Sequence, residues 1–218
     1  MNPLQLTAPA GRPLSVLAIG AHPDDIEIGS GGTLLSLAGR PGGLRARYVV
    51  LTGTADRQLE ARAAAQAFLP GAELAMDLLD LPEGRLPAAW GAVKEALEQV
   101  ARSWTPDLIL APSRDDAHQD HRVIGEILPT VFRDHLCLSY EIPKWDGDLG
   151  RGSPGTYVPM TAELARRKVE LLHTCFPSQQ RRDWWADEVF LGLARLRGME
   201  CRAPYAEAFT CRKLLLQP

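Results

Sequence analysis

The stretch SVLAIGAHPDDIEIGSGG, residues 15–32, decides the fold of this 218-residue chain. Residues 15–20 form a short apolar run rich in strand formers, and a proline and then several glycines follow it directly. Pro23 lacks a backbone N–H group and restricts the residue before it, so we expect an extended turn after the strand. The apolar segment 33–38 suits the helix that follows. Strand, turn and helix together predict the first unit of an α/β fold.

The same alternation of strand-like and helix-like segments continues along the chain. Further strands are predicted at residues 46–51, 74–81, 107–111 and 137–142, with an edge strand at 205–216. Helices are predicted at residues 57–68, 90–103, 120–132, 161–175 and 183–197, the last ended by Gly198. The glycine-rich segment 146–155 is predicted to be a surface loop. We therefore predict one α/β domain at residues 14–218, a mainly parallel sheet with helices on both faces, after a flexible arm at residues 1–13.

Composition and charge argue against several classes of protein. The chain has 24 basic and 27 acidic residues, a net charge of -3, and so lacks the basic excess typical of a nucleic-acid partner. It has no run of about 18 apolar residues, so we expect no membrane span, and its start lacks a signal-peptide pattern. The four cysteines are widely spaced without a C-x-x-C pair. This spacing favours reduced thiols in a cytoplasmic protein over a disulfide framework or a cysteine zinc site.

Three polar side chains follow the first predicted strand at its carboxyl end, where sites on parallel sheets lie. His22 and Asp25 can converge on one point while Asp24 points elsewhere, because Pro23 holds the turn extended. An imidazole and a carboxylate that converge suit a zinc ion, and Asp24 could then act as a general base. Alternatively, either aspartate only caps the next helix. The glycines of GSGG, residues 29–32, fit close backbone packing as well as a phosphate cradle, whose motifs they do not match.

A second polar cluster, DDAHQDH at residues 115–121, follows the strand predicted at residues 107–111. His118 lies before the next helix and His121 lies in its first turn, so one ring can bind metal while the other faces substrate. Asp120 either caps this helix or orients His118. Histidines near a helix cap are common and alone are weak evidence. Both clusters follow apolar strands, however, and together they exceed the three ligands that catalytic zinc needs.

At these two clusters the sequence resembles the LmbE-like family, also called PIG-L N-acetylglucosaminyl deacetylases. The family pattern A-H-P-D-D-x-E-x-G-x-G-G is complete at residues 21–32, and H-x-D-H stands at residues 118–121. Weaker matches continue along the chain, at R-x-x-E of residues 57–60, Lys168, Ser178 with Gln179, and residues 205–209. The resemblance implies a Rossmann-like α/β fold, in agreement with the alternation of strands and helices.

The resemblance also implies roles for individual residues. It implies a zinc ion held by three residues: His22, Asp25 and His121. It implies Asp24 as the general base, and His118 as the group that steadies the oxyanion or protonates the leaving amine. In the mechanism that we expect, His118 steadies the oxyanion as an imidazolium. Arg57 matches a family position near the substrate, although it could instead only pair with Glu60. Trp184 and Trp185 could stack on a sugar ring, but core packing is the more common role of such residues.

The predicted reaction is zinc-dependent hydrolysis of an N-acetyl group from an amino sugar or sugar conjugate, which releases acetate and a free amine. The alternatives are a zinc amidase acting on a non-sugar N-acyl compound, such as a thiol conjugate or natural product, and a non-catalytic sugar- or nucleotide-binding module. A homo-oligomer is left open. One position departs from the pattern: some family members carry a tyrosine two residues before the first histidine of H-x-D-H, where it can help to hold the oxyanion. This chain has Asp116 there.

Overall fold

A computed structural model describes residues 2–8, 11–143 and 153–215 of the chain. Its strands are β1 (Leu14–Gly20), β2 (Leu44–Thr52), β3 (Glu73–Leu81), β4 (Leu108–Pro112), β5 (Cys137–Tyr140), β6 (Thr156–Met160) and β7 (Tyr205–Cys211). Its helices are α1 (Asp25–Ala38), α2 (Ala55–Phe68), α3 (Trp90–Ser103), α4 (Gln119–Val131), α5 (Ala162–Cys175) and α6 (Asp187–Cys201). Short 3-10 helices lie at Leu86–Ala89 and Pro177–Gln179.

The seven strands form one sheet in the order β3-β2-β1-β4-β5-β7-β6. Strands β1 to β5 run parallel, whereas β7 runs antiparallel to both β5 and β6. The strand order reverses at β1, which lies between β2 and β4, and sites on open α/β sheets lie at such switch points. The predicted single-domain α/β fold with a mainly parallel sheet is confirmed. The start of the domain at residue 14, after a flexible arm at residues 1–13, stays a prediction.

Helices cover both faces of the sheet. In β1, Val16 and Ala18 pack into the core shared with α1, α2 and α5, whereas Leu17 and Ile19 pack into the core shared with α3 and α4. All seven residues of β1 are buried. Burial of both faces explains why this strand is a continuous apolar run rather than an alternating one.

Helix α1 begins earlier than its predicted position at residues 33–38. Asp24 adopts φ 108° and ψ -24°, and this left-handed residue turns the chain sharply enough for the helix to start at Asp25. The helix is interrupted at Ser30, where φ is -145° and ψ is 15°. The expectation that the turn stays extended beyond Pro23 is therefore wrong, because a strained aspartate makes the reversal.

Two elements near the end of the chain also differ from the prediction. Gly198 lies inside α6 rather than after it. A Cβ at this position would lie only 2.7 Å from Cα of Tyr205, so the glycine is needed for the chain to return close to the helix. Strand β7 is an interior strand, not an edge strand, because β6 pairs with it on its outer side. Sequence analysis missed β6, a short segment that contains Pro159, a residue tolerated on edge strands.

The predicted surface loop at residues 146–155 lies outside the described residues except for 153–155. All four cysteines are free thiols, as predicted. Among the described residues, no helix is both long enough and apolar enough to cross a membrane.

Candidate active site

The turn after β1 separates two adjacent carboxylates. Asp24 occupies the N-cap position of α1 in a left-handed conformation, which is uncommon for a residue other than glycine and costs about 1–3 kcal/mol. Its Oδ2 atom accepts a hydrogen bond of 2.8 Å from Arg57 Nη2. Oδ2 of Asp25 instead accepts hydrogen bonds from the backbone N–H groups of Ala21 and His22, at 2.9 and 2.8 Å. The two carboxylates therefore have separate partners, as predicted.

His118 is the N-cap residue of α4, and its ring proton can be assigned. Its Nδ1 atom accepts a hydrogen bond of 3.2 Å from the backbone N–H of Asp120. A backbone N–H can only donate, so Nδ1 carries a lone pair and the proton of the neutral ring lies on Nε2. Burial and the neighbouring His121 and His22 lower the pKa of His118. The lowered pKa favours the neutral ring, which donates through Nε2, over the expected imidazolium.

Asp120 orients His22, not His118 as considered from the sequence. Its buried Oδ2 lies 3.1 Å from His22 Nε2, and its two oxygens also accept from the backbone N–H groups of Gly84 at 2.6 Å and Leu86 at 3.0 Å. Burial would raise the pKa of Asp120, but these hydrogen bonds outweigh burial and the pKa is lowered. An ionised carboxylate only accepts, so Nε2 of His22 carries a proton, and in the neutral ring that a metal ion would bind, Nδ1 carries the lone pair.

His121 lies in the first turn of α4, as predicted, and is 1% exposed. Its Nδ1 lies at ion-pair distance, 3.1 Å, from Asp116 Oδ2, and no atom in the described part of the chain makes a well-aligned hydrogen bond with Nδ1. A proton on Nδ1 leaves the lone pair of His121 on Nε2, which faces His22 and Asp25.

Three acceptor atoms thus meet at the carboxyl ends of β1 and β4. His22 Nδ1 lies 3.2 Å from His121 Nε2, and Asp25 Oδ2 lies 3.5 Å from the former and 3.1 Å from the latter. Two lone pairs and a carboxylate oxygen at these distances repel one another unless positive charge lies among them. Burial opposes a charged imidazole, yet Asp25 and Asp120 outweigh it and raise the pKa of His22 to about 10. The acceptor triangle formed by these three atoms therefore favours a cation.

The acceptor triangle has the dimensions of a zinc site. Four ligands arranged tetrahedrally at about 2.0–2.1 Å from zinc lie about 3.3 Å from one another, close to the three observed separations. A wider group of three histidines could also hold a metal, since one ring nitrogen from each of His22, His118 and His121 lies within 4.8 Å of the others. His118 fits this group less well, because its Nε2 carries the proton. The residues present fit a divalent metal ion.

Arg57 contacts the other carboxylate of the turn. Its Nη2 donates to Asp24 and to the carbonyl oxygen of Pro23, and its Nη1 donates to Glu60 at 2.7 Å and to Ser178 Oγ at 2.8 Å. Burial raises the pKa of Asp24 to about 6, although Arg57 acts to lower it. The pair with Glu60 that the sequence allowed is therefore present. The contact with Asp24 was not foreseen, because the spacing from residue 24 to residue 57 carries no motif.

A cavity of about 580 Å³ opens beside these residues. Arg57 and the predicted site residues all line it. The sequence also pointed to Trp184 and Gln179, which belong to its lining, but it gave no sign of Glu83, Arg182 and Asp183, which loops supply. The indole of Trp184 lies edge-to-face with the indole of Trp185 and the phenyl ring of Phe190, at centroid distances of 5.4 and 6.5 Å. Trp185 belongs to the buried core, so only Trp184 reaches the cavity. The volume is typical of pockets for small molecules larger than an acetyl group.

The glycines of GSGG serve packing rather than a phosphate cradle. A Cβ atom on Gly29 would lie 2.3 Å from Tyr140 Cδ2, and one on Gly32 would lie 2.1 Å from Met160 Sδ. Such distances are far inside van der Waals contact, so only glycine lets α1 pack this closely.

The fold and the acceptor triangle define an α/β protein with a site that could hold a metal at the switch point of its sheet. The model of the PIG-L family, described as GlcNAc-PI de-N-acetylase, matches residues 17–132. The chain therefore belongs to the PIG-L family of deacetylases, whose members are metal-dependent.

Similar proteins agree with this assignment. An uncharacterized deacetylase of Escherichia coli (strain K12), YaiS, is 30% identical over 151 residues, which make up 63% of this chain and 79% of that protein. The N,N'-diacetylchitobiose deacetylase of Pyrococcus horikoshii has the same fold, with a TM-score of 0.70 and 22% identity over 90% of this chain and 83% of that one. The 4-carboxy-2-hydroxymuconate hydratase of Pseudomonas putida also shares the fold, with a TM-score of 0.69 and 16% identity over 94% and 98% of the two chains. The fold alone therefore does not decide the reaction.

Proposed function

We propose that this protein hydrolyses the N-acetyl group of an amino sugar or sugar conjugate, using a zinc ion held by His22, Asp25 and His121. The observation that carries the proposal is the acceptor triangle, in which other partners fix the ring protons so that every lone pair faces inward. Three protein ligands with an open position are typical of catalytic zinc. Membership of a deacetylase family supports hydrolysis of an acyl–nitrogen bond.

When bound, zinc supplies Lewis-acid chemistry: it makes water more acidic and polarises the acyl carbonyl. The chain's own residues then move the protons. Asp24 lines the cavity beside the acceptor triangle, so it can accept a proton from the water that attacks the acyl carbon. Arg57 holds Asp24 and favours its ionised form, in which the carboxylate can accept that proton. The same proton is then available to the leaving nitrogen when the C–N bond breaks and acetate is released.

His118 is suited to the oxyanion that forms on the acyl group. The backbone N–H of Asp120 occupies Nδ1, so the Nε2–H group is the one that can donate into the cavity. A neutral donor fixed in this way stabilises negative charge without reorganising, and removal of one such donor typically lowers the rate by about 10²–10³-fold.

Several features favour an amino sugar as the substrate. The name of the family model, GlcNAc-PI de-N-acetylase, and that of the Pyrococcus neighbour, N,N'-diacetylchitobiose deacetylase, both state an N-acetyl amino sugar as the substrate. In the cavity wall, Trp184 offers an aromatic surface to a sugar ring, and Gln179 and Asp183 offer polar groups to its hydroxyls. The cytoplasmic location stays a prediction from the sequence, and homo-oligomerisation stays open.

A matched substrate panel tests the proposal. Zinc-loaded protein is incubated with N-acetylglucosamine, N,N'-diacetylchitobiose and a set of N-acetyl amino acids that includes N-acetylcysteine, and released acetate and free amine are both measured. We expect equal amounts of acetate and amine from the sugars, and release about 10²–10⁴-fold slower from Asp24→Asn. Rapid cleavage of the amino acids with none of the sugars would show instead a zinc amidase for non-sugar compounds. Bound sugar without any release would show a binding module.

A further inference from the structure

Asp116 contacts both histidines of the second polar cluster, His118 and His121. Its Oδ1 accepts a hydrogen bond of 2.7 Å from the backbone N–H of His118, and its Oδ2 lies 3.1 Å from His121 Nδ1. Asp116 is 5% exposed, so water does little to weaken either contact. One oxygen of this buried carboxylate therefore contacts His118, the proposed oxyanion donor, and the other contacts His121, the proposed metal ligand.

We propose that Asp116 is a positioning residue for the metal site, which keeps the proton of His121 on Nδ1 so that Nε2 is free to bind the metal. The inference rests on the proposed metal-dependent function and adds a residue to its machinery. Histidine ligands commonly donate their second N–H to a carboxylate, which fixes the tautomer and makes the ligand more basic. An ionised carboxylate has no proton to donate, so Asp116 does not replace the family tyrosine as an oxyanion donor. That task stays with His118.

Both oxygens of Asp116 are needed, and this need separates positioning from a merely structural role. An asparagine offers only one acceptor oxygen. The backbone N–H of His118 cannot become an acceptor, so in Asp116→Asn the oxygen must face His118 and the amide NH₂ must face His121. His121 Nδ1 would then accept from this NH₂ group, and the ring proton would move to Nε2, where it competes with the metal. If Asp116 only stabilised the turn, asparagine would replace it well, because Asn and Asp both make this turn.

Zinc affinity tests the inference without any substrate. The zinc dissociation constant is measured by competition with a chelator for the wild type, Asp116→Asn, Asp116→Ala and the control Asp115→Asn. Asp115 is adjacent in sequence, and its side chain is 52% exposed. We expect Asp116→Asn and Asp116→Ala each to raise the dissociation constant about 10–100-fold, and Asp115→Asn to leave it unchanged. Circular dichroism confirms that each variant is folded.

Zinc affinity of Asp116→Asn within about twofold of the wild type would overturn the inference and leave the proposed deacetylation intact. Failure of the deacetylation would appear separately, as a wild type that binds zinc but releases no acetate. Long-range ¹H–¹⁵N spectra of the zinc-loaded wild type give a second measurement that needs no variant. They should place the proton of His121 on Nδ1, and a proton on Nε2 would overturn the inference.

Discussion

Loss of Arg57 should slow catalysis without weakening substrate binding, because its guanidinium acts through Asp24. Arg57 Nη2 lies 2.8 Å from Asp24 Oδ2. For two unit charges about 4 Å apart, an effective dielectric constant of about 20 gives an attraction of roughly 4 kcal/mol, or about three pKa units. With a pKa of about 6, Asp24 is mostly ionised at pH 7. Without Arg57, the ionised fraction would fall to about 1%. A bound cation would lower the pKa of Asp24 in both proteins, so this fall in the ionised fraction is the largest one expected.

Steady-state kinetics of Arg57→Leu, Arg57→Lys and the control Arg62→Leu measure this effect. Arg62 is an exposed arginine on the same helix, α2. We expect Arg57→Leu to lower kcat up to about 100-fold at pH 7 with little change in KM. Its activity should recover as pH rises towards 9, because a base with a raised pKa ionises only at higher pH. Arg57→Lys should retain part of the activity. A raised KM with unchanged kcat would refute this reasoning and return Arg57 to the predicted role of substrate ligand.

Two further predictions concern the turn after β1 and the packing behind it. Asp24→Asn should keep its zinc and lose about 10²–10⁴-fold in turnover, whereas Asp25→Asn should bind zinc more weakly and regain part of its activity in excess zinc. Metal analysis and steady-state kinetics of both variants measure this difference, and an Asp24→Asn variant that stayed active with zinc bound would contradict the assignment. Gly29→Ala should lower the thermal unfolding midpoint, because its Cβ would lie 2.3 Å from the buried Tyr140 ring. In the control Gly91→Ala the new Cβ would have no atom within 4 Å, so the free energy of unfolding should rise by about 0.5–1 kcal/mol. Equal unfolding midpoints for the two variants would contradict this packing.

Local patterns predicted most of the sheet and its covering helices. The bounds of α3 at Trp90–Ser103 and the capping of α5 by Thr161 follow directly from helical spacing and cap chemistry. The early start of α1 did not follow, because it depends on Asp24 adopting a strained conformation that sequence patterns disfavour. Strand β6 was missed because its pairing with β7 is a long-range contact that its short segment does not indicate.

The site shows the same division between local and long-range information. The place of the two clusters at strand ends predicted correctly that they are neighbours, since parallel strands end at one edge of the sheet. The choice of His121 over His118 came from the family resemblance. The ring protons could not be assigned from spacing, because they depend on buried acceptors such as Asp120 and Asp116. Side chains supplied by separate loops, such as Glu83 and Arg182, carry no common motif, so this part of the cavity wall could be found only in the folded chain.

Anomalous diffraction at the zinc absorption edge, from crystals of the zinc-loaded protein, tests the acceptor triangle most directly. We predict a single strong peak per chain within about 2.0–2.2 Å of His22 Nδ1, His121 Nε2 and one carboxylate oxygen of Asp25. His118 Nε2 should lie outside bonding distance of this peak. A peak bonded to His118 in place of Asp25, or zinc found only elsewhere on the chain, would contradict the assignment of the metal site.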